Sequence, residues 1–300
     1  MPIIKKNDIT PERPIIIVLY GQPGCGKTSS ATTAENPILI DTDRGYDRAV
    51  QRIDTLEARR WQDIDSEIKT IKEYKTIIVD TAKAMLDDYL STYAVEQNYK
   101  LKTNALKRFG QMADDFKMFV NDIRNGGSDI IFICHDKEVQ EGDVIKHSPD
   151  CTGQSKDLLL RIADQVGYIC KVNGRRTIIF EPTDCYIGKN VAQIPPTEIP
   201  DSTDEGFSSF MAGIIRKVKS AIASKSDAQN EAMKMLAELR ELLESAMTIE
   251  EVDFIMKNSG SLPQLLKKPF FAEMKDKLKA KGFAYDQNLK KFVQDEKTVA

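Results

Sequence analysis

Short, uninterrupted apolar runs that each end on a polar residue punctuate the first half of the chain. Ile15 to Tyr20, Pro37 to Ile40 before Asp41, Thr76 to Val79 before Asp80, and Asp129 to Cys134 before His135 predict strands buried on both faces. The intervening segments have helical character: weak periodicity over 62 to 74, then helices over about 82 to 97 and 104 to 124. The second of these helices carries Leu106, Phe109, Met112, Phe116, Phe119, Val120 and Ile123 on one side. Strands alternating with helices predict an α/β fold with a mostly parallel central sheet. Such a sheet presents the polar residues at its strands' carboxyl ends, where open parallel sheets bind ligands.

Further along, the pattern changes. Residues 136 to 156 are polar, contain Gly142, Pro149 and Gly153, and read as a long loop. Val166 to Val172 and Thr177 to Phe180, joined through Asn173-Gly174, predict a hairpin with type I′ turn residues. A stretch with Pro195, Pro196 and Pro200, then a helix over about 207 to 225, closes a core domain spanning 1–225. Residues 1 to 14, with Pro2, Pro11 and Pro14, form its polar lead-in. A small helical domain is expected over 227–300, with its helices between about 227 and 294. Met233, Leu236, Leu239, Leu242 and Leu243 recur there at near-helical spacing, and Thr248-Ile249-Glu250-Glu251 is a capping box.

Composition narrows the class. With 41% hydrophobic and 30% charged residues the chain reads as soluble, and no run approaches the ~20 apolar residues of a membrane span. Met1 to Pro14 lacks the apolar core of a signal peptide, so the expected location is the cytoplasm, with no membrane partner. Cys25, Cys134, Cys151, Cys170 and Cys185 have neither C-x-x-C spacing nor an even count, which argues for reduced thiols rather than zinc or disulfides. The net charge of −3 gives no global nucleic-acid signature, so any such contact must come from local basic patches.

The candidate chemistry begins at Gly21-Gln22-Pro23-Gly24-Cys25-Gly26-Lys27-Thr28, which fits G-x-x-x-x-G-K-[ST] between a strand and a helix. Its glycines let backbone N–H groups wrap phosphates, and the following helix is expected to point its positive end at them. Gly21, Gly24, Cys25, Gly26, Lys27, Thr28 and Ser29 therefore form the expected ATP site. Lys27 would reach the β- and γ-phosphates, and Thr28 with Asp80 would hold Mg²⁺. Cys25, beside a helix start, is expected to have a lowered pKa and to be open to oxidation. His135, at the end of its strand, reads either as a γ-phosphate sensor or as a core histidine satisfied by its neighbours.

Two basic regions stand out. Tyr93 to Lys102, followed by Lys107 and Arg108, interleaves tyrosines with cations; Tyr99, Lys100, Lys102, Lys107 and Arg108 suit stacking and phosphate contact on a single DNA strand. A solvated helix end with inward tyrosines is the equal alternative. Between Lys257 and Lys291, nine lysines face Glu273, Asp276 and Asp286; a solvated surface explains most such runs, although nucleic acid or an acidic partner tail could use this one.

Four stretches, GQPGCGKTS, PILIDTDRGYD, KTIIVDT and IIFICHDKE, resemble in order the core of RecA-type recombinases, in particular the phage RecA-like single-strand annealing proteins. A fifth, TGQSKDLLLRIADQVGYI with YIGKN after it, resembles the end of that phage core, and the likeness spans about 14 to 200. It implies a RecA-like P-loop ATPase that binds ATP and Mg²⁺ and anneals or pairs strands, with single-stranded DNA and a single-strand binding protein as partners. It also implies a homo-oligomer with nucleotide near the subunit interface, in the host cytoplasm if phage-encoded. By the same resemblance Asp43 is the water-positioning acid, His135 the sensor, and Lys189 a residue reaching a neighbouring subunit's nucleotide. Asp43 is one methylene shorter than the family glutamate, and His135 stands where bacterial RecA carries an amide. No polymerisation module is evident before Pro14. The rival reading is a nucleotide switch or helicase loader whose C-terminal helices dock a replication protein; a small-molecule kinase is disfavoured because no arginine-rich lid is evident.

Overall fold

A computed structural model describes residues 12–223, 227–287 and 289–294. They fall into two compact units, Arg13–Ile222 and the part from Ala223 onward.

The first unit is built on β1 (Ile16–Gly21), α1 (Lys27–Ala31), β2 (Pro37–Asp41), β3 (Asp54–Glu57), α2 (Trp61–Ser66), α3 (Ile68–Ile71) and β4 (Thr76–Asp80). A π-helical segment (Ala84–Leu90), α4 (Ser91–Gln97), a 3₁₀ turn (Tyr99–Lys102) and α5 (Ala105–Gly126) follow. Next come β5 (Asp129–Glu141), β6 (Val144–Pro149), α6 (Gly153–Ile162), β7 (Gln165–Val172) and β8 (Arg175–Ile179). Two short strands, β9 (Lys189–Asn190) and β10 (Thr197–Glu198), and α7 (Phe210–Ala223) complete it.

Strands β7, β1, β5, β4, β2 and β3 lie side by side in that order and in parallel, with β8, β10, β6 and β9 added antiparallel. Strand β5 is thus inserted between the P-loop strand β1 and β4. Residues of β1 alternate between two apolar layers. Ile16, Val18 and Tyr20 face a layer with Phe116 and Phe132, and Ile15, Ile17 and Leu19 face one with Met211, Ile214 and Val218. Each fully buried aliphatic side chain is worth roughly 1.5–3 kcal/mol, so the strand interiors stabilise the sheet and leave its polar tips free for chemistry. Helix α7 is anchored by a buried ion pair, Lys219 Nζ to Asp129 Oδ2 at 2.8 Å, while Asp129 Oδ1 accepts from Ile15 N.

The sheet departs from expectation in two places. Residues 136 to 149 are not loop: β5 runs on past His135 and turns back into β6 through Gly142, whose φ is +64°. This hairpin buries little apolar surface, with Val139, Val144 and Ile145 exposed, so it leaves no hydrophobic signature. The edge strand β3 pairs with β2 although it too has no apolar run. The β7–β8 hairpin forms as expected, with positive φ at Asn173 and Gly174 (+51° and +82°).

The second unit packs α8 (Asp227–Ser245), α9 (Ile249–Ser259) and α10 (Gln264–Ala280) around Leu236, Leu243, Ile255, Phe270 and Met274. Thr248 and Glu251 make the capping box at the start of α9. The unit is not purely helical: β11 (Phe283–Asp286) and β12 (Lys291–Gln294) pair as a hairpin whose Phe283 and Phe292 join the core. Among the described residues, no helix is long and apolar enough to cross a membrane.

Candidate functional site

Register brings the strand tips together. Gly21 on β1 lies opposite His135 on β5, and Asp41 on β2 opposite Asp80 on β4, so four separate apolar runs end around one cleft of about 330 Å³. The P-loop forms its floor. Gly24 and Gly26 have φ of +75° and +92°, a conformation that glycine adopts without strain. Gly21 is required for close approach, since a Cβ there would stand 2.3 Å from the Ile169 carbonyl oxygen. Helix α1 is only five residues long, so the amides of the loop, rather than a long helix dipole, present the positive potential.

The Lys27 amine donates to the carbonyls of Gly21 (2.8 Å) and Gln22 (2.9 Å), acceptors that phosphate oxygens can replace. The Thr28 hydroxyl donates to Asp80 Oδ2 at 2.6 Å, joining the two expected metal-binding groups. Burial pushes the Asp80 carboxyl above the usual carboxylate range, against the Thr28 hydrogen bond and the nearby Lys27 charge. A half-buried carboxylate beside a hydroxyl, facing a cleft with a lysine and a glycine cradle, fits a hydrated Mg²⁺ on a nucleotide. Ser29 also lines the cleft.

The two acids after β2 have different jobs. Asp41 is buried, and its oxygens accept from the backbone N–H groups of Asp43, Gly45 and Tyr46, so it shapes the loop. That loop holds Asp43 at the mouth of the cleft, half exposed, with Oδ2 3.7 Å from His135 Nε2. His135 is accordingly a cleft residue and not a core histidine, although its Nδ1 is buried and finds no hydrogen-bond partner among the described residues.

Sequence reasoning overlooked Arg176. The β7–β8 hairpin projects beyond the level of Gly21: Gly21 pairs with Ile169, and Arg176 sits opposite Lys171, two residues further out. Its side chain comes back over Gly26, so that a Cβ there would lie 3.5 Å from Arg176 Cδ, and it lines the cleft with Arg48. The Asn173-Gly174 turn was the available signal, because it fixes how far the hairpin overshoots the P-loop.

Other expectations are revised. Cys25 is buried, and burial raises its thiol pKa above the ordinary value even though Lys27 pulls it down; it is not an activated thiolate. Lys189 lies opposite Val166 on β7, three residues before the level of Gly21, and its amine donates to the Ala163 carbonyl. It contributes nothing to this chain's cleft and would have to leave Ala163 to serve another.

The basic patch after α4 is a surface feature. Tyr99 is 72% exposed, so its ring does not pack inward, and the Lys102 amine lies 5.3 Å from the ring centroid. Arg108 donates to the carbonyls of Leu101 and Lys102, bracing the 3₁₀ turn, and Lys100 and Lys107 are exposed.

Among solved structures, the crystal structure of the RadB recombinase is similar, with 15% identity over 56% of this chain and 81% of that one and a TM-score of 0.36. Among curated proteins, none matches the chain. The profile of the AAA domain family AAA_24 matches residues 13–191, the stretch that carries the P-loop, Asp43, Asp80, His135 and Arg176. That match covers more than half of the sequence, and the chain belongs to the AAA_24 family of AAA domains.

Proposed function

We propose that this chain is an ATP-binding, Mg²⁺-dependent ATPase of RecA recombinase type that binds single-stranded DNA and promotes annealing or pairing of strands. The observation that carries the reading is the cleft itself, where a P-loop lysine, a joined Thr28–Asp80 pair and a free acid, Asp43, converge. The nucleotide supplies the phosphoanhydride bond, and its Mg²⁺ neutralises charge on the phosphate oxygens.

The chain's own residues do the rest. Lys27 exchanges its loop carbonyls for phosphate oxygens, and Thr28 and Asp80 hold the metal. Asp43, whose oxygens are not taken by the backbone as those of Asp41 are, orients the attacking water. His135 hydrogen-bonds the γ-phosphate and, through its neighbour Asp43, reports whether that phosphate is present. Arg176 adds a second cation above the P-loop. The single-strand assignment rests on exposed Tyr99 near cations that form no ion pair among the described residues. Assembly of several copies, and cooperation with a single-strand binding protein, belong to the same reading.

The test is the ATPase rate with and without single-stranded DNA. We expect stimulation by the strand, loss of turnover in Lys27→Ala, and a loss of ~10²-fold or more in Asp43→Asn with ATP binding retained. Unchanged turnover in Lys27→Ala would refute the nucleotide assignment, and an unstimulated rate would refute the DNA assignment.

A further inference from the structure

The β5–β6 hairpin puts three metal-ligating side chains on one face. Asp136 and Glu138 are two apart on β5 and therefore point the same way, and His147 on β6 is directly opposite Glu138. One potential ligand atom from each of the three lies within 4.8 Å of the others. Backbone on both sides fixes His147. On one side it is in register with β5; on the other its N–H donates to the Cys185 carbonyl and its carbonyl accepts from Ile187 N. Its ring stacks on Tyr168 at a centroid distance of 5.1 Å, which sets the orientation of the imidazole.

A second observation points to a cation. The Asp136 side chain is only 3% exposed, and its Oδ2 lies 2.6 Å from His147 Nδ1, while its Oδ1 is buried and finds no hydrogen-bond partner among the described residues. A buried, unsatisfied carboxylate oxygen is costly, and a bound cation relieves that cost. We propose that Asp136, Glu138 and His147 form a binding site for a divalent transition-metal ion of the zinc class. One imidazole with two carboxylates is a nitrogen and oxygen set that suits zinc better than magnesium or calcium, with water completing the shell. Held by both oxygens of Asp136, the ion satisfies Oδ1 and replaces the contact between Oδ2 and His147 Nδ1. The site is distinct from the Thr28–Asp80 pair yet adjoins the P-loop, because Glu138 Oε1 already accepts from the Gln22 side chain at 3.2 Å.

The test uses the full-length protein stripped of metal, without nucleotide, titrated with Zn²⁺ by calorimetry and with Co²⁺ by visible absorption. The expected result is one equivalent that Asp80→Asn retains and that Glu138→Gln and His147→Gln each weaken tenfold or more. Glu138 is exposed, so its variant keeps the fold and carries the test if His147→Gln melts at a lower temperature without metal. No uptake by the unmodified protein, loss of uptake in Asp80→Asn, or equal uptake in Glu138→Gln overturns the proposal.

Discussion

The two basic regions of this chain have similar sequence credentials and different structures. Around Tyr99, the cations Lys100, Lys102, Lys107 and Arg108 form no ion pair among the described residues; Lys102 lies over the exposed ring and Arg108 braces the 3₁₀ turn. Between Lys257 and Lys291, much of the apparent charge excess is already used. Lys281 donates to the carbonyls of Leu243, Glu244 and Ala246 and so caps α8. Lys277 pairs with Glu244 and Glu273, Lys275 lies 4.8 Å from the ring centroids of Phe271 and Tyr285, and Lys267 bonds the Gly260 carbonyl. A lysine count therefore measures potential and not availability: a cation committed to a helix end or a ring is a structural part, whereas an exposed one without such a contact, as Lys100 and Lys107 are among the described residues, is available to meet a phosphate.

Experiments can break this contrast. The largest expected effect is on single-strand affinity, measured with ATP and Mg²⁺ present. Lys100→Ala/Lys102→Ala/Lys107→Ala should weaken binding by about 100-fold at low salt and flatten the log-log salt slope by ~0.7 for each lost contact. A chain truncated after Ser226 should keep both affinity and slope. The opposite pattern would move the DNA site to the C-terminal unit and overturn the contrast. Next in size is stability: Lys281→Ala leaves three carbonyls without their charged donor and should cost the second unit about 1.5–3 kcal/mol by chemical denaturation, with strand affinity unchanged. Should the same substitution weaken DNA binding in a fully folded protein, Lys281 is not merely a cap.

Tyr99→Ala should lose about 1–3 kcal/mol of strand affinity if the ring stacks on a base, and Tyr99→Phe should restore it. An equal loss in the phenylalanine variant would mean that the hydroxyl matters and the stacking reading fails. The smallest effect belongs to Lys268→Ala/Lys279→Ala, two exposed lysines of α10, which should shift stability by no more than ~0.5 kcal/mol each and leave DNA binding intact.

Local physics made part of this molecule legible from its sequence alone. Apolar runs of strand length ending on Asp41, Asp80 and His135 need only their neighbours to declare buried strands. The P-loop, the Asn173-Gly174 turn and the Thr248 capping box are written in residues whose backbone preferences or side-chain hydrogen bonds act within a few positions. Tertiary structure alone decided the rest. It placed β5 between β1 and β4, tied up Asp41 while leaving Asp43 free, folded Arg176 over Gly26, turned Tyr99 outward, and put Asp136, Glu138 and His147 on one face. In most of these cases the deciding quantity is the register between segments far apart in the chain, and shifting a strand by one residue reverses every side chain on it. The polar β5–β6 hairpin, with no buried apolar run, carried no pattern from which that register could have been read.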